Sequence, residues 1–143
     1  MATYAIATQT LIDGPRNSVF KVTGDVTVAF GPTDIIVASS LSGVNPGMSG
    51  SPAPTLLRID HIDYAITDGL ICILSWDATT PVAITELFGR GKIEAKMWGG
   101  FQNNAGAGVT GSISLQGVTS LAAFPTDASI TLVIHTVKYH ANI

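Results

Sequence analysis

The segment TLLRIDHIDYAIT (55–67), followed by GLICILSWD (69–77), decides the class of fold. In an extended strand over the first segment, His61 and Asp63 point to one face and apolar side chains occupy the other. Those apolar side chains are Leu56, Ile62, Tyr64 and Ile66. The second segment is a continuous apolar run between polar turn residues, which is typical of a strand covered on both faces. Both segments therefore predict β-strands.

Comparable segments recur along the chain about every ten to twelve residues, with Gly, Pro or Asp between them. They are 18–30, which Gly24-Asp25 divides into two strands, 33–41, 81–89, 91–99, 108–117 and 128–140. Such a series predicts an all-β fold, namely a single-domain, antiparallel, jelly-roll-like β-sandwich over residues 1–143. Gly89 and Gly91 oppose a helix and favour a hairpin with a Gly-Arg-Gly turn.

Charge is scarce in this chain. Charged residues make up 12% of its 143 residues, and the net charge is −3, whereas about 25% charged residues is typical. The chain therefore lacks the positive field that would attract nucleic acids or anionic membranes. Segments 35–57 and 97–126 carry no charge at all. A solvated Ser/Thr/Gly surface would explain either segment, and so would coverage by another subunit, so we expect a homo-oligomer.

The stretch GMSGSP (47–52) resembles the Gly-x-Ser-Gly-x-Pro sequence around the nucleophile of chymotrypsin-type proteases, with Ser49 in the place of that serine. In those enzymes the histidine and carboxylate precede the serine, whereas all three histidines here follow it. Triad order differs among unrelated folds, yet nothing near Ser49 in the sequence supplies a base and an oxyanion hole. We predict that Ser49 is catalytically idle and that the chain is not an enzyme.

A second candidate constellation consists of Asp60, His61 and Asp63, which His135 and His140 could join as metal ligands. Strict alternation turns Asp60 away from the other two, which leaves two ligands on one strand face. An exposed polar face is the favoured interpretation. The sequence therefore predicts no metal and no cofactor.

The tryptophans and the cysteine offer weaker signals. Trp76 and Trp98 could form a sugar-stacking pair, although each is more often a core or interface anchor. Cys72 is the only cysteine, and its apolar surroundings predict a buried, inert thiol. With no secretory-signal pattern at the N-terminus, these features indicate a protein made and kept in a reducing cytoplasm.

Two loops rich in Gly, with Pro in one and Asn in the other, are the candidate contact loops: 42–54 and 99–111. Loops of this length are uncommon unless they are functional. In and beside the second loop, we expect four side chains to contact a partner: Trp98, Phe101, Asn103 and Asn104.

The run from 74 to 116 resembles small structural proteins of tailed-bacteriophage virions. The shared elements are a Trp near a strand end, a Leu-x-Gly-x-Gly turn, an aromatic-Gly-Gly, and an Asn-rich loop that closes on Gly-x-Thr-Gly. Here they are Trp76, Leu87-Gly89-Gly91, Trp98-Gly99-Gly100, Asn103-Asn104 and Gly108-Thr110-Gly111. The terminal strand 129–139 also fits, but YHANI (139–143) extends past Lys138, whereas family members end near a basic residue.

The resemblance implies a non-enzymatic decoration or cement protein on the outside of an icosahedral capsid, assembled in the host cytoplasm. Such proteins are β-sandwich trimers that bridge neighbouring subunits of the major capsid protein. Two alternatives stay open: a neck, tail or fibre subunit of the virion, and, from a different class, a carbohydrate-binding sandwich.

Overall fold

Nine strands lie in the residues that the structure, a computed structural model, describes: 4–14, 16–41, 56–106, 108–119 and 128–139. They are β1 (Tyr4–Asp13), β2 (Asn17–Val26), β3 (Phe30–Ile36), β4 (Leu56–Ile66), β5 (Leu70–Trp76), β6 (Val82–Leu87), β7 (Arg90–Glu94), β8 (Ile113–Thr119) and β9 (Ala128–Tyr139). Within these ranges, the helical segments are two 3-10 turns, Ala38–Ser40 and Lys96–Trp98. No helix in the described ranges is long and apolar enough to span a membrane.

The strands form two antiparallel sheets that pack against each other. One sheet has the order β1-β2-β9-β4-β7, and the other has the order β3-β8-β5-β6. Every connection from β2 onward passes from one sheet to the other, except the one between β5 and β6. Strands β2 to β9 thus have the order of an eight-stranded jelly roll, to which β1 adds an edge strand. The predicted all-β, antiparallel, jelly-roll-like sandwich is confirmed.

The hydrophobic core fills the space between the inner faces of the two sheets. Buried side chains of the five-stranded sheet include Phe20, Val22, Ile62, Leu132 and Ile134, and those of the four-stranded sheet include Cys72, Leu74, Trp76, Ile113 and Leu115. Full burial of one such aliphatic or aromatic side chain contributes about 1.5–3 kcal/mol to folding. The period-two pattern of the strands is the sequence signal for this core.

Strand β5 differs from its predicted environment. Leu70, Cys72 and Leu74 are buried, but Ile71 and Ile73 are only half-buried on the outer face of the sheet. In the described part of the chain, the outer face of β5 is therefore only partly covered, and the prediction of a strand covered on both faces is wrong. Part of the outer face of the four-stranded sheet is apolar.

Strand β4 contains a β-bulge between Ile59 and His61. A bulge inserts one extra residue and shifts the side chains that follow it to the opposite faces. Before the bulge Leu57 and Ile59 face the core, and after it Ile62 does. The sequence analysis assumed unbroken alternation and placed Leu56 on the core face, which is wrong because Leu57 occupies that place.

Strand β1 was not among the predicted strands, and it pairs with β2 along most of its length. Gly24-Asp25, expected to divide two strands, lies inside β2 instead. A Cβ atom on Gly24 would lie 2.5 Å from Cδ1 of Ile6 in β1. This glycine therefore serves the close approach of the two strands rather than a turn.

The hairpin predicted around Gly-Arg-Gly is also wrong. Strand β6 pairs with β5, whereas β7 pairs with β4 in the other sheet. The short connection at Phe88 and Gly89 crosses between the sheets, and the Gly89 carbonyl accepts a hydrogen bond of 2.8 Å from the Ile66 amide. Two predicted strands, 33–41 and 91–99, end earlier than expected because each runs into a 3-10 turn.

A buried lysine ties the first and last strands together. Nζ of Lys138 donates to the carboxylate of Asp13 and, at 2.7 Å, to the carbonyl oxygen of Gly14. The Lys138 side chain is fully buried, and that of Asp13 is 24% exposed. The Lys138 amide also donates to the Arg16 carbonyl. The turn between β1 and β2 is thereby fastened to the end of β9.

Candidate functional site

Aromatic side chains cluster where the chain leaves β7. The rings of Trp98 and Phe101 lie 5.0 Å apart at 88°, an edge-to-face contact. Trp98 is 60% exposed, and Met97, which the sequence analysis did not single out, is 87% exposed. Phe101 is half-buried. We call Met97, Trp98 and Phe101 the apolar tip.

The backbone of the apolar tip is anchored to β4. Phe101 pairs with Ile59, its amide donating at 2.8 Å and its carbonyl accepting at 3.2 Å. The Ala95 amide donates to the Asp60 carbonyl at 2.9 Å, and the Gly100 amide donates to the Ala95 carbonyl at 2.8 Å. Exposed apolar side chains are thus held on a backbone that is part of the sheet edge.

Gly100 lies directly over an ion pair. Nε and Nη2 of Arg58 donate to the two carboxylate oxygens of Asp60 at 2.7 and 3.1 Å, a bidentate arrangement. Gly100 has φ 79°, and a Cβ atom there would lie 2.7 Å from both Arg58 Cγ and Asp60 Oδ1. Only glycine fits this conformation and this space. Backbone conformation and close packing therefore both require the second glycine of the aromatic-Gly-Gly motif.

The two predicted contact asparagines have different surroundings. Oδ1 of Asn103 accepts a hydrogen bond of 3.0 Å from the Ala105 amide, which shapes the loop. Nδ2 of Asn103 is shielded from solvent and has no hydrogen-bond partner among the described residues. Asn104 is exposed. Of the four predicted contact residues, the structure brings Trp98 and Phe101 together and exposes Asn104, while Asn103 is half-buried.

The other predicted contact loop, 42–54, lies outside the described residues, and so does Ser49. Trp76 is 1% exposed, so it belongs to the core and cannot stack on a sugar with Trp98. Cys72 is buried as predicted, and burial raises the pKa of its thiol to about 12.

A group of polar side chains lies on the outer face of the five-stranded sheet. His61 lies opposite both His135 of β9 and Glu94 of β7. Asp63 follows on the same face, and Nε2 of His61 lies 2.9 Å from its Oδ2. Nδ1 of His61 lies in close contact with Oε1 of Glu94. We call these four residues the histidine cluster.

The sequence analysis placed His61 and Asp63 on one face correctly, but expected Asp60 to turn away. Asp60 lies at the bulge and lines the same surface depression as His61 and Asp63. His135 joins the group, and Glu94 was missed because the pairing of β7 with β4 leaves no local sequence signal. His140 lies outside the described residues.

No protein-family model, curated protein or solved structure matches the chain. The apolar tip and the histidine cluster are therefore interpreted from their own chemistry. The tip offers aromatic and thioether surface without charge, which suits contact with another protein. The cluster offers imidazole nitrogens and carboxylate oxygens, which suit a cation.

Proposed function

We propose that the protein is a non-enzymatic structural subunit of a bacteriophage virion. In the specific form of this proposal, it is a decoration or cement protein that binds across neighbouring subunits of the major capsid protein and stabilises the head. The observation that carries the proposal is the apolar tip: Trp98 and Met97 are exposed at a sheet edge whose backbone is hydrogen-bonded to β4.

Exposed aromatic residues on an ordered backbone are typical anchors of protein interfaces. Tryptophan is enriched among the few residues that supply most of the binding energy, and methionine among interface residues in general. Because the backbone is already ordered, little conformational entropy is lost when a partner covers the tip. Burial of the exposed part of Trp98 would contribute about 2–4 kcal/mol to binding.

Edge strand β1 supports self-association as the second part of the proposal. Among the described residues it pairs with β2 alone, so its other edge has no strand partner there. Leu11 and Ile12 at its end are 46% and 55% exposed. A long edge strand with apolar side chains is normally covered or paired. A closed trimer would cover this edge in every subunit.

Two further observations support the virion assignment over other interaction proteins. The motifs of residues 74–116 resemble small phage virion proteins, and the aromatic-Gly-Gly element of that resemblance contributes Trp98 to the apolar tip. Jelly rolls are also common in viral capsid proteins, although lectins share this architecture and the fold alone does not decide. Many symmetric copies on one lattice would give tight attachment from modest single contacts.

The proposal is tested with particles of the phage that encodes the chain, prepared without this protein. Purified wild-type protein and Trp98→Ala are added to the particles, and bound protein is measured by co-sedimentation. Phe88→Ala is the matched control, because Phe88 is 69% exposed but lies at the opposite end of β7.

We expect wild-type protein and Phe88→Ala to saturate the particles and Trp98→Ala to bind at least tenfold more weakly, which corresponds to about 1.4 kcal/mol. Particles saturated with protein should release DNA at a higher temperature than bare particles, because a ligand that binds the intact lattice stabilises it. Binding to the tail or fibre would replace the cement function by the alternative virion role. Absence from the particle, with saturable binding to a glycan instead, would refute the virion assignment.

A further inference from the structure

The histidine cluster contains the donor atoms of a transition-metal site. The available ligand atoms of His61, Asp63 and His135 all lie within 4.8 Å of one another. The rings of His61 and His135 are 5.1 Å apart and nearly perpendicular, at 89°. Two imidazoles and one carboxylate are one of the sets of three protein ligands found around a zinc ion that keeps one position for water.

The register of the sheet holds these ligands in place. His61 and His135 lie directly opposite each other on β4 and β9, and Asp63 is two residues further along β4. Both strands are inside the five-stranded sheet, with neighbours on each side. Sites built on strands position their ligands more precisely than sites built on loops.

The two nitrogens of His61 have different carboxylate neighbours. Nε2 faces Asp63 at 2.9 Å, close to the separation of about 3.3 Å that two ligands of one tetrahedral zinc ion require. Nδ1 is shielded from solvent and adjacent to Glu94, yet it has no hydrogen-bond partner among the described residues. Glu94 is half exposed and can turn to accept the Nδ1 proton. This would give a carboxylate–histidine–metal arrangement.

The cluster lies in a surface depression of about 580 Å³, which would let a hydrated ion enter. The side chains of Lys96 and Lys92 are the nearby positive charges: Lys96 lines the depression and Lys92 lies opposite Asp63. Both are exposed, so water screens them. Arg58 is already paired with Asp60.

We propose that His61, Asp63 and His135 bind one divalent transition-metal ion, best matched by Zn²⁺, with Glu94 as a positioning residue for His61. The proposal departs from the sequence-based prediction of no metal, which counted two ligands on one strand face because the sequence does not place His135 beside His61. It does not depend on the virion function, because the cluster and the apolar tip are separate groups of residues.

Binding is tested with Zn²⁺ alone, by calorimetry on the full chain after treatment with a chelator. Co²⁺ serves as the spectroscopic probe, because the intensity of its visible absorption distinguishes four-coordinate from six-coordinate sites. The variants are His135→Gln, Asp63→Asn and Glu94→Gln. The control is His140→Gln, which removes the remaining histidine of the chain. Metal-free unfolding curves establish that each variant is folded.

We expect one Zn²⁺ per chain, an intense Co²⁺ spectrum, and a higher unfolding temperature with metal. His135→Gln and Asp63→Asn should weaken binding at least a hundredfold, and Glu94→Gln tenfold to a hundredfold with the Co²⁺ spectrum retained. His140→Gln should bind as the wild type does. The absence of saturable binding at millimolar Zn²⁺, unchanged affinity in folded His135→Gln, or an equal loss in His140→Gln would each overturn the assignment.

Discussion

Replacement of Asp13 by Asn should destabilise the fold strongly. The change removes the carboxylate that faces the fully buried ammonium group of Lys138. An uncompensated buried charge costs about 3–5 kcal/mol. Because Asp13 is itself 24% exposed and water reaches it, we expect a loss at the lower end of this range, about 3 kcal/mol. Domains of this size have about 5–15 kcal/mol of stability in total, so the effect is readily measured.

The partner substitution Lys138→Met separates the charge from the packing. It removes the buried ammonium group and fills much of the same space, and replacement of a buried ion pair by apolar residues is often neutral or stabilising. The lost hydrogen bond to the Gly14 carbonyl should cost about 1 kcal/mol. In the double variant Asp13→Asn/Lys138→Met, the loss should therefore fall back to that of Lys138→Met.

Urea unfolding at neutral pH, followed by the fluorescence of buried Trp76, gives all four free energies of unfolding. The expected result is a coupling energy of at least about 2 kcal/mol between the two positions. The reasoning is refuted if Asp13→Asn costs less than about 1 kcal/mol, or if the two single losses simply add in the double variant.

Three smaller predictions concern other positions. Gly100→Ala should lower the unfolding free energy by about 1–3 kcal/mol in the same urea assay. The control Gly106→Ala should change it little, because nothing lies within 4 Å of a Cβ atom built there. Equal effects of the two substitutions would contradict the strain argument. Burial and, second, the charge of Asp77 raise the pKa of Asp34 above its usual 3.8. Its ionisation therefore opposes folding as pH rises through this titration, so Asp34→Asn should stabilise by less than about 1 kcal/mol at pH 7 and not at about pH 2; a loss of stability at pH 7 would be inconsistent with this sign. The pKa of about 12 predicts that the Cys72 thiol does not react with a disulfide reagent at about pH 8 until urea unfolds the chain; rapid labelling of the folded protein would show otherwise.

The class of fold could be predicted because the signal is local. In β2 and β9 apolar residues recur with period two, and burial follows that period over most of each strand. Strand β1 escaped prediction because its exposed residues show no apolar alternation. The β6–β7 hairpin was wrong because a short glycine-containing connection looks the same whether it joins neighbours in one sheet or crosses between two.

The candidate sites likewise contain parts that a local sequence signal predicts and parts that depend on strand pairing. The uncharged, Gly- and Asn-rich loop made Trp98 and Phe101 candidate contact residues, and the structure places their rings together with Trp98 exposed. The histidine cluster joins β4, β7 and β9, and its assembly depends on which strands pair and in what register. His61 and His135 are separated by more than half of the chain, so neither reveals the other without the topology.

The bulge in β4 has a role that the facing of the strand does not explain. Up to Ile59 the odd-numbered residues face the core, and from His61 onward the even-numbered residues do. Without Asp60 the strand would alternate continuously, with Leu57, Ile59 and Ile62 inward and His61 outward as they are now. The deletion would instead remove the carboxylate paired with Arg58 and the carbonyl that accepts a hydrogen bond from the Ala95 amide. The extra residue therefore serves the attachment of the apolar tip to the sheet, and its loss should free the tip while leaving the core faces of β4 unchanged.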